Sequence, residues 1–323
     1  MDREQQVRGG GQRVTHWAAW RSLVLVACAC ACFATLDTSA KRVTASLPLP
    51  QALWFLFLFQ TLAYTGLVVW GGRLDLLRRA HWGAQIGRGA LLLGVQTLAF
   101  LSLQYLPVGE FTAVAMLTPL LVTLLAGRML GEHVSWYRIA LVLVGLAGTL
   151  VIVRPGNAML GWAIVLPLAL VAANAAYQLL TSWMGRSQDT WVTLLCTSAV
   201  CLLMLTPLVG LQGIPLGHGL PIGGLLLMGL AATSGNVLFV KAFESASANS
   251  LMPYMYLQIG FGILGGWWVF DHVPDALSLL GMVMIAGCGV VGGVLSLWEA
   301  HRKRSKLPLS GASNPKPSPL APD

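Results

Sequence analysis

Charged residues are what this sequence has least of. Only 10% of its 323 residues are Asp, Glu, Lys or Arg, whereas 56% are hydrophobic. A soluble domain carries about a quarter charged residues, so this composition excludes an ordinary soluble fold. Common motifs of catalysis and nucleotide use are also missing, namely GxxxxGK[ST], HExxH, paired CxxC and GxSxG. We therefore expect no enzyme activity, no ATP-driven transport, no cofactor and no metal site.

Long apolar runs take the place of charge. They recur from Arg21 to Trp298 at a length of about 20 residues, which suffices to cross a hydrocarbon core. The runs are continuous rather than alternating in polarity, which favours helices over a β-barrel. We predict an all-α membrane protein with about ten transmembrane helices in two inverted five-helix repeats. The predicted spans are 20–42, 51–71, 87–105, 110–129, 136–153, 159–182, 190–210, 220–242, 248–269 and 276–298.

Basic residues orient these spans, because Lys and Arg stay on the cytoplasmic side of a membrane. An even number of spans places both termini on one side, which we take to be the cytoplasm. The basic residues then on that side are Arg3, Arg8, Arg13, Arg21, Arg73, Arg78, Arg79, Arg88, Arg128, Arg138, Arg186, Arg302, Lys303, Arg304 and Lys306. Only Lys41, Arg42 and Arg154 fall on the other side. Topology accounts for the net charge of +8, so we expect a lipid bilayer and no nucleic acid as partner.

Internal similarity supports the repeats. Five spans per half is an odd number, so two similar halves would lie in opposite orientations. The stretch 105–136 aligns with 243–275, and the triplet EHV at 132–134 then meets DHV at 271–273 after a one-residue gap. We expect a cytoplasmic N-terminal segment at 1–19, repeats at 20–154 and 159–298, and a cytoplasmic, disordered, Pro- and Ser-rich tail at 299–323.

Four stretches carry a resemblance to a known family. They are LTPLLVTLLAGRMLGEHV (117–134), GLAGTLVIVRPG (145–156), VKAFESASANSLMPYMYLQ (240–258) and VFDHVPDALSLLGMVMIAGCGVVGG (269–293). The chain resembles the drug/metabolite transporter superfamily, specifically its ten-helix EamA-type members, over about residues 20–300. The resemblance implies a secondary transporter of small metabolites, with export favoured over uptake.

The resemblance extends to individual residues. Asp37 with Lys41, and the Lys-Ala-Phe sequence at 241–243, are similar to the branch that includes S-adenosylmethionine carriers. One position departs: many relatives carry an Arg in a motif like WFRFLFQ, where this chain has Leu56. That departure removes a membrane-embedded cation, so the family's substrates do not transfer directly.

Charge inside a span is the first guide to a functional site, since it costs about 2.5–3.5 kcal/mol at the centre of a membrane helix. Asp37 and Lys41 are four residues apart and share a helix face. Two interpretations stay open: an intrahelical ion pair near the interface, or a substrate or proton site in a central cavity. Asp37 is the better candidate for the cavity, because a buried carboxyl group exchanges protons near neutral pH.

Uncharged polar residues supply further candidates for substrate binding. Residues three or four positions apart lie on one helix face. The candidates are Asn174, Tyr177 and Gln178 on the sixth predicted span, Tyr254 and Gln258 on the ninth, Gln96 on the third and Asn236 on the eighth. They offer directional hydrogen bonds to a ligand in an apolar cleft. The alternative is hydrogen bonding that only packs the helices.

Two residues are candidates for gating. Pro119 lies within the fourth predicted span, where its missing N–H frees a carbonyl and allows a kink. Lys241 closes the eighth predicted span, where it either reaches the interface or forms a gate. Glycine clusters at 260–266 and 287–293 allow close helix packing, within one chain or in a homodimer.

These patterns predict a transporter in a bacterial cytoplasmic membrane that moves a small polar or amphipathic metabolite by alternating access. Proton coupling and substrate exchange both stay open. Two other classes have less support: a non-transporting sensor or assembly subunit, and a membrane-embedded enzyme, which needs acid/base or metal clusters near an interface. A water-accessible stripe along the sixth and ninth spans would favour transport.

Overall fold

Helices form all the regular secondary structure in the part of the chain that the structure, a computed structural model, describes. That part comprises residues 2–77, 81–129, 136–154, 165–184, 189–212, 221–245 and 251–305. Its α-helices are α1 (Asp2–Thr44), α2 (Leu49–Trp70), α3 (Leu74–Leu77), α4 (Trp82–Tyr105), α5 (Val108–Ala115), α6 (Thr118–Met129), α7 (Trp136–Val153), α8 (Val165–Met184), α9 (Thr190–Gln212), α10 (Ile222–Ser245), α11 (Leu257–Phe270) and α12 (Ala276–Ser305). A 3-10 helix at Met252–Tyr256 precedes α11.

Eight of these helices are long and apolar enough to cross a membrane, within the described ranges. They coincide with eight of the ten predicted spans, and the prediction of an all-α membrane protein is confirmed. Side chains on the outside of the bundle are largely apolar, such as Leu203, Leu226 and Val283, as a surface facing hydrocarbon requires. We therefore describe the chain as a multi-pass membrane protein.

The fourth and ninth predicted spans are interrupted rather than continuous. The fourth divides into α5 and α6 at Met116–Leu117, and in the described part of the ninth the 3-10 helix precedes α11. A proline accompanies each interruption: Pro119 is the second residue of α6, and Pro253 lies in the first turn of the 3-10 helix. Proline has no N–H to donate to the carbonyl four residues earlier. In the alignment of 105–136 with 243–275 the two interruptions fall at matching positions.

Packing between helices joins the two halves of the chain. The helix α1 packs against α10 and α11, α2 against α9 and α10, α4 against α8 and α9, and α7 against α12. Glycine allows the last of these contacts, because a Cβ on Gly281 would lie 2.6 Å from the Gly148 carbonyl oxygen. By contrast, a Cβ on Gly287 would meet nothing within 4 Å. Close packing through glycine also holds in the two predicted clusters: a Cβ on Gly262 would lie 2.8 Å from Thr112 Oγ1, and a Cβ on Gly289 would overlap the Tyr256 ring.

Candidate functional site

Asp37 lies on α1, two turns before that helix ends, where α1 packs against α5 and α11. Its side chain is half-buried, and its Oδ2 atom accepts a hydrogen bond from Gln258 Nε2 at 3.4 Å. Thr112 Oγ1 lies 3.5 Å away and is a weaker donor, because its hydrogen is shared with the Val108 carbonyl at 2.8 Å. Both distances to Oδ2 exceed the usual 2.7–3.2 Å of a strong hydrogen bond. The carboxyl group is therefore held loosely, by two uncharged donors, between helices of the two halves.

Lys41 turns away from Asp37 and binds the end of α4. Its Nζ donates hydrogen bonds to the carbonyl oxygens of Leu103 at 2.7 Å and Leu106 at 2.6 Å. The Leu103 carbonyl lacks the N–H four residues later because residue 107 is Pro, and Lys41 supplies that donor. A cation is also favoured at the C-terminus of a helix. The intrahelical ion pair, one of the two interpretations left open above, is wrong.

A buried carboxylate, Glu110 on α5, completes this group. Its Oε1 lies 3.2 Å from His272 Nε2, in the segment after α11, and its Oε2 has no hydrogen-bond partner among the described residues. Lys41 is within electrostatic range of Glu110. The sequence analysis did not propose Glu110 as a site residue. Glu110 is nevertheless the first residue of the predicted span 110–129, and an ionisable residue within a span is a candidate for function. We call Asp37, Lys41, Glu110, Thr112, Gln258 and His272 the Asp37 cluster.

Arg88 on α4 is buried inside the bundle, with 3% of its surface exposed. The topology prediction counted it among residues at the cytoplasmic surface, and the structure corrects this. The helix α4 begins at Trp82 rather than at residue 87, so Arg88 lies nearly two turns inside it. Hydropathy missed this first part of the helix because it contains Gly83, Gln85 and Gly87, which are not apolar enough to extend the span.

Four hydrogen bonds hold the Arg88 guanidinium between α8 and α9. Nε donates to Thr181 Oγ1 at 2.9 Å, and Nη2 donates to the Tyr177 hydroxyl at 2.6 Å. Nη1 donates to the Thr193 carbonyl at 3.3 Å and to Thr197 Oγ1. The guanidinium carbon also lies 4.8 Å from the centroid of the Tyr177 ring, a cation–π contact. We call Gln85, Arg88, Tyr177, Thr181, Thr193 and Thr197 the Arg88 cluster.

The charge of Arg88 has no opposite charge beside it. Among the residues whose side chains the structure describes, no Asp or Glu lies within ion-pair distance of its guanidinium. Asp189, just before α9, instead pairs with Arg73 at 3.0 Å. An unpaired buried charge is costly, so its retention needs a reason other than stability.

The remaining predicted site residues are distributed along the bundle. Asn174 Nδ2 lies 3.5 Å from Thr118 Oγ1, at the interruption between α5 and α6. Asn236 Nδ2 donates to the Tyr64 hydroxyl at 3.0 Å. The other candidates are placed as follows: Gln96 and Gln178 half-buried, Pro119 buried in α6, Tyr254 43% exposed, and Lys241 exposed near the end of α10.

Four of the predicted residues belong to the two clusters. Asp37, Lys41 and Gln258 are in the Asp37 cluster, whereas Tyr177 is in the Arg88 cluster. Arg88 and Leu103, the partner of Lys41, are 15 positions apart on α4, which corresponds to about 22 Å along a helix. The two clusters lie toward opposite ends of the bundle, with Asn174 and Thr118 between them.

Comparison with known proteins identifies what this architecture is similar to. Residues 20–154 match the model of the EamA-like transporter family. A crystal structure shares the fold with a TM-score of 0.58 and 17% sequence identity, covering 89% of this chain and 99% of that chain. The resemblance inferred from the sequence motifs is thereby confirmed.

Three curated relatives are named as transporters. A riboflavin transporter of Rhizobium johnstonii is 26% identical over 282 residues, covering 83% of this chain and 87% of the relative. An S-adenosylmethionine uptake transporter of Rickettsia prowazekii is 24% identical over 249 residues, covering 77% and 84%. The pseudopaline exporter CntI of Pseudomonas aeruginosa is 26% identical over 265 residues, covering 81% and 92%.

Proposed function

We propose that the chain, which is similar to EamA-type members of the drug/metabolite transporter superfamily, moves a small polar or amphipathic metabolite across a bacterial cytoplasmic membrane by alternating access. The two five-helix repeats, 20–154 and 159–298, are the units that move, and both termini lie in the cytoplasm. The names of the relatives include an uptake transporter and an exporter, so they support transport without a direction. Export is proposed from the family resemblance.

The observation that carries this proposal is the environment of Asp37. A membrane-embedded ionisable residue marks a substrate or ion pathway more often than it marks packing. Within the described part of the chain, Asp37 has only the weak donors Thr112 and Gln258 beside it, because Lys41 is engaged by α4. It also sits where α1 and α5 of the first half meet α11 of the second half. We assign to Asp37 the binding of a proton or of a cationic group of the substrate.

The two interrupted spans support alternating access. In repeat transporters, broken helices at matching positions of the two halves line the substrate site near the middle of the membrane. Here the break at Met116–Leu117 lies beside Thr118, which Asn174 reaches from α8. We propose Asn174 and Gln178 as part of the path between the clusters, and Pro119 as a hinge of the gate.

The experiment is substrate flux into proteoliposomes, first with a panel of compounds and then with variants. The panel contains amino acids, methionine-derived metabolites, metal-chelating opines and nucleotides, together with riboflavin, S-adenosylmethionine and pseudopaline. Asp37→Asn keeps the size and one oxygen of the side chain but removes the charge. We expect its flux to fall about tenfold or more and its pH dependence to flatten.

The control for this experiment is Asp75→Asn, which removes an exposed carboxylate on α3. It should transport at the rate of the parent chain. Unchanged flux and an unchanged pH profile in Asp37→Asn would contradict the assigned role of Asp37. Absence of flux for the whole panel, together with protection of introduced cysteines along α8 and α11 from aqueous reagents, would contradict transport itself.

A further inference from the structure

The Arg88 cluster has a feature that packing does not explain. Arg88 is a buried cation at the junction of α4, α8 and α9, and every acceptor that it reaches among the described residues is neutral. Neutral acceptors orient a guanidinium, but they do not compensate the free energy lost when its positive charge is removed from water. An apolar side chain of similar volume would fill the same space without that penalty.

The surrounding hydroxyl groups face Arg88 with their lone pairs. Thr197 Oγ1 donates its hydrogen to the Thr193 carbonyl, and Thr181 Oγ1 donates to the Tyr177 carbonyl, each within its own helix. Because these hydrogens are committed to the backbone, the oxygens serve only as acceptors for the guanidinium. The shell therefore fixes the position and plane of Arg88 and supplies no negative charge.

The hydrogen-bond count leaves room for one more acceptor. A guanidinium has five N–H groups, and four of those of Arg88 reach acceptors among the described residues. The fifth is on Nη2, the nitrogen that binds the Tyr177 hydroxyl. The site thus combines an oriented Arg88 guanidinium, one Nη2 N–H group that can bind a further acceptor, and the aromatic ring of Tyr177.

We propose that Arg88 is an anion-binding subsite of the transport path and that it takes a carboxylate group of the substrate. This rests on the proposed function, because a residue that is 3% exposed is reached only when this end of the bundle opens. One positive charge matches the single negative charge of a carboxylate. A phosphate dianion would leave an excess negative charge in the same buried volume.

The test measures binding, not flux, so it is independent of the Asp37 experiment. The probe is butyrate, and its matched control is butyramide, an uncharged molecule of the same size. A second arm uses inorganic phosphate at equal ionic strength. Thermal unfolding of the full chain in lipid nanodiscs, titrated with each probe, gives the affinity from the rise in Tm.

We expect butyrate to raise the Tm of the parent chain and butyramide to leave it unchanged. In Arg88→Gln the affinity for butyrate should fall about tenfold or more, since a charged partner is lost. Arg88→Lys should keep part of the shift. Arg73→Gln, which removes an arginine of the Arg73–Asp189 ion pair outside the cluster, should keep all of it.

An equal butyrate shift in Arg88→Gln and the parent chain, or no shift in the parent chain, would overturn the proposal. A larger shift with phosphate would overturn the carboxylate assignment. If Arg88→Gln does not fold, Tyr177→Phe gives a second test, because it keeps the charge and frees another N–H of Nη2. Its affinity for butyrate should equal or exceed that of the parent chain, and a weaker affinity would count against the proposal.

Discussion

The Asp37 cluster and the Arg88 cluster hold buried charge in two different ways. Near the end of α1, the Lys41 ammonium group meets two backbone carbonyls and lies near the Glu110 carboxylate. At the other end of the bundle, the Arg88 guanidinium meets a carbonyl and three hydroxyl oxygens, all uncharged. A carboxylate lies near the first cation, whereas the described residues around the second supply only dipoles.

This difference in surroundings indicates that Lys41 has a structural role, whereas Arg88 is available to a ligand. Lys41 completes the hydrogen bonding of the α4 C-terminus, which Pro107 leaves short of a donor. Its removal would leave carbonyl oxygens unsatisfied. Arg88 completes no helix end, and its two threonine partners already donate their hydroxyl hydrogens to backbone carbonyls. Retaining Arg88 therefore costs stability, as a binding residue commonly does.

The largest expected contrast is in the stability of two matched substitutions, Lys41→Met and Arg88→Met. Lys41→Met should lower the free energy of unfolding by about 1–2 kcal/mol, because two carbonyls lose a charged donor. Arg88→Met should leave it unchanged or raise it by about 1–4 kcal/mol, because an unpaired buried charge is removed. Thermal unfolding in nanodiscs measures both. A greater loss for Arg88→Met than for Lys41→Met would reverse the comparison.

A second, smaller contrast is in pairwise coupling, measured by double-mutant cycles. Arg88→Met with Tyr177→Phe should show a coupling of about 1–2 kcal/mol, because the two side chains share a hydrogen bond and a ring contact. Asp37→Asn with Lys41→Met should be additive within about 0.5 kcal/mol, because these side chains have separate partners. A stronger coupling between Asp37 and Lys41 than between Arg88 and Tyr177 would instead support an ion pair between Asp37 and Lys41.

The smallest effect is expected at an exposed ion pair outside the membrane-spanning segments. Asp275 accepts a hydrogen bond from Arg154 Nη2 at 2.6 Å and caps α12 by accepting one from the Ser278 N–H at 2.9 Å. The Arg154 guanidinium, followed by the Ser278 contacts, lowers the pKa of Asp275 to about 2. Asp275→Asn keeps the capping oxygen and loses only the ion pair, so it should change the Tm less than the preceding variants do.

The pH dependence of that variant follows from the sign of the pKa change. A lowered pKa means that the ionised form is favoured in the folded chain, so its stabilisation is present above the unfolded value of about 4. It is lost only as the pH falls toward about 2. The difference in Tm between Asp275→Asn and the parent chain should therefore be the same at pH 5 and pH 8. A difference that changes between those pH values would contradict the assigned ion pair.

Much of the fold was predictable from the sequence, and the misses have definite causes. Eight continuous spans were found because length and hydropathy decide whether a helix crosses a membrane. The interruption before Thr118 was only partly foreseen, since Pro119 indicated a kink and the two residues before Thr118 form the actual break. Glu110 and Arg88 were missed at the ends of predicted spans, where a boundary error of a few residues moves a charge from the surface to the interior.

The sequence by itself determined the class of protein, the number of spans to within their interruptions, and Asp37 as an embedded carboxylate. These properties depend on local composition, because the length and hydropathy of each segment decide whether it crosses the bilayer. Only the tertiary structure decided that Lys41 binds α4 rather than Asp37, and that Arg88 lies among hydroxyl groups of α8 and α9. These contacts join residues 62 to 109 positions apart. Partners at such separations are set by helix packing, which hydropathy and spacing along one helix do not encode.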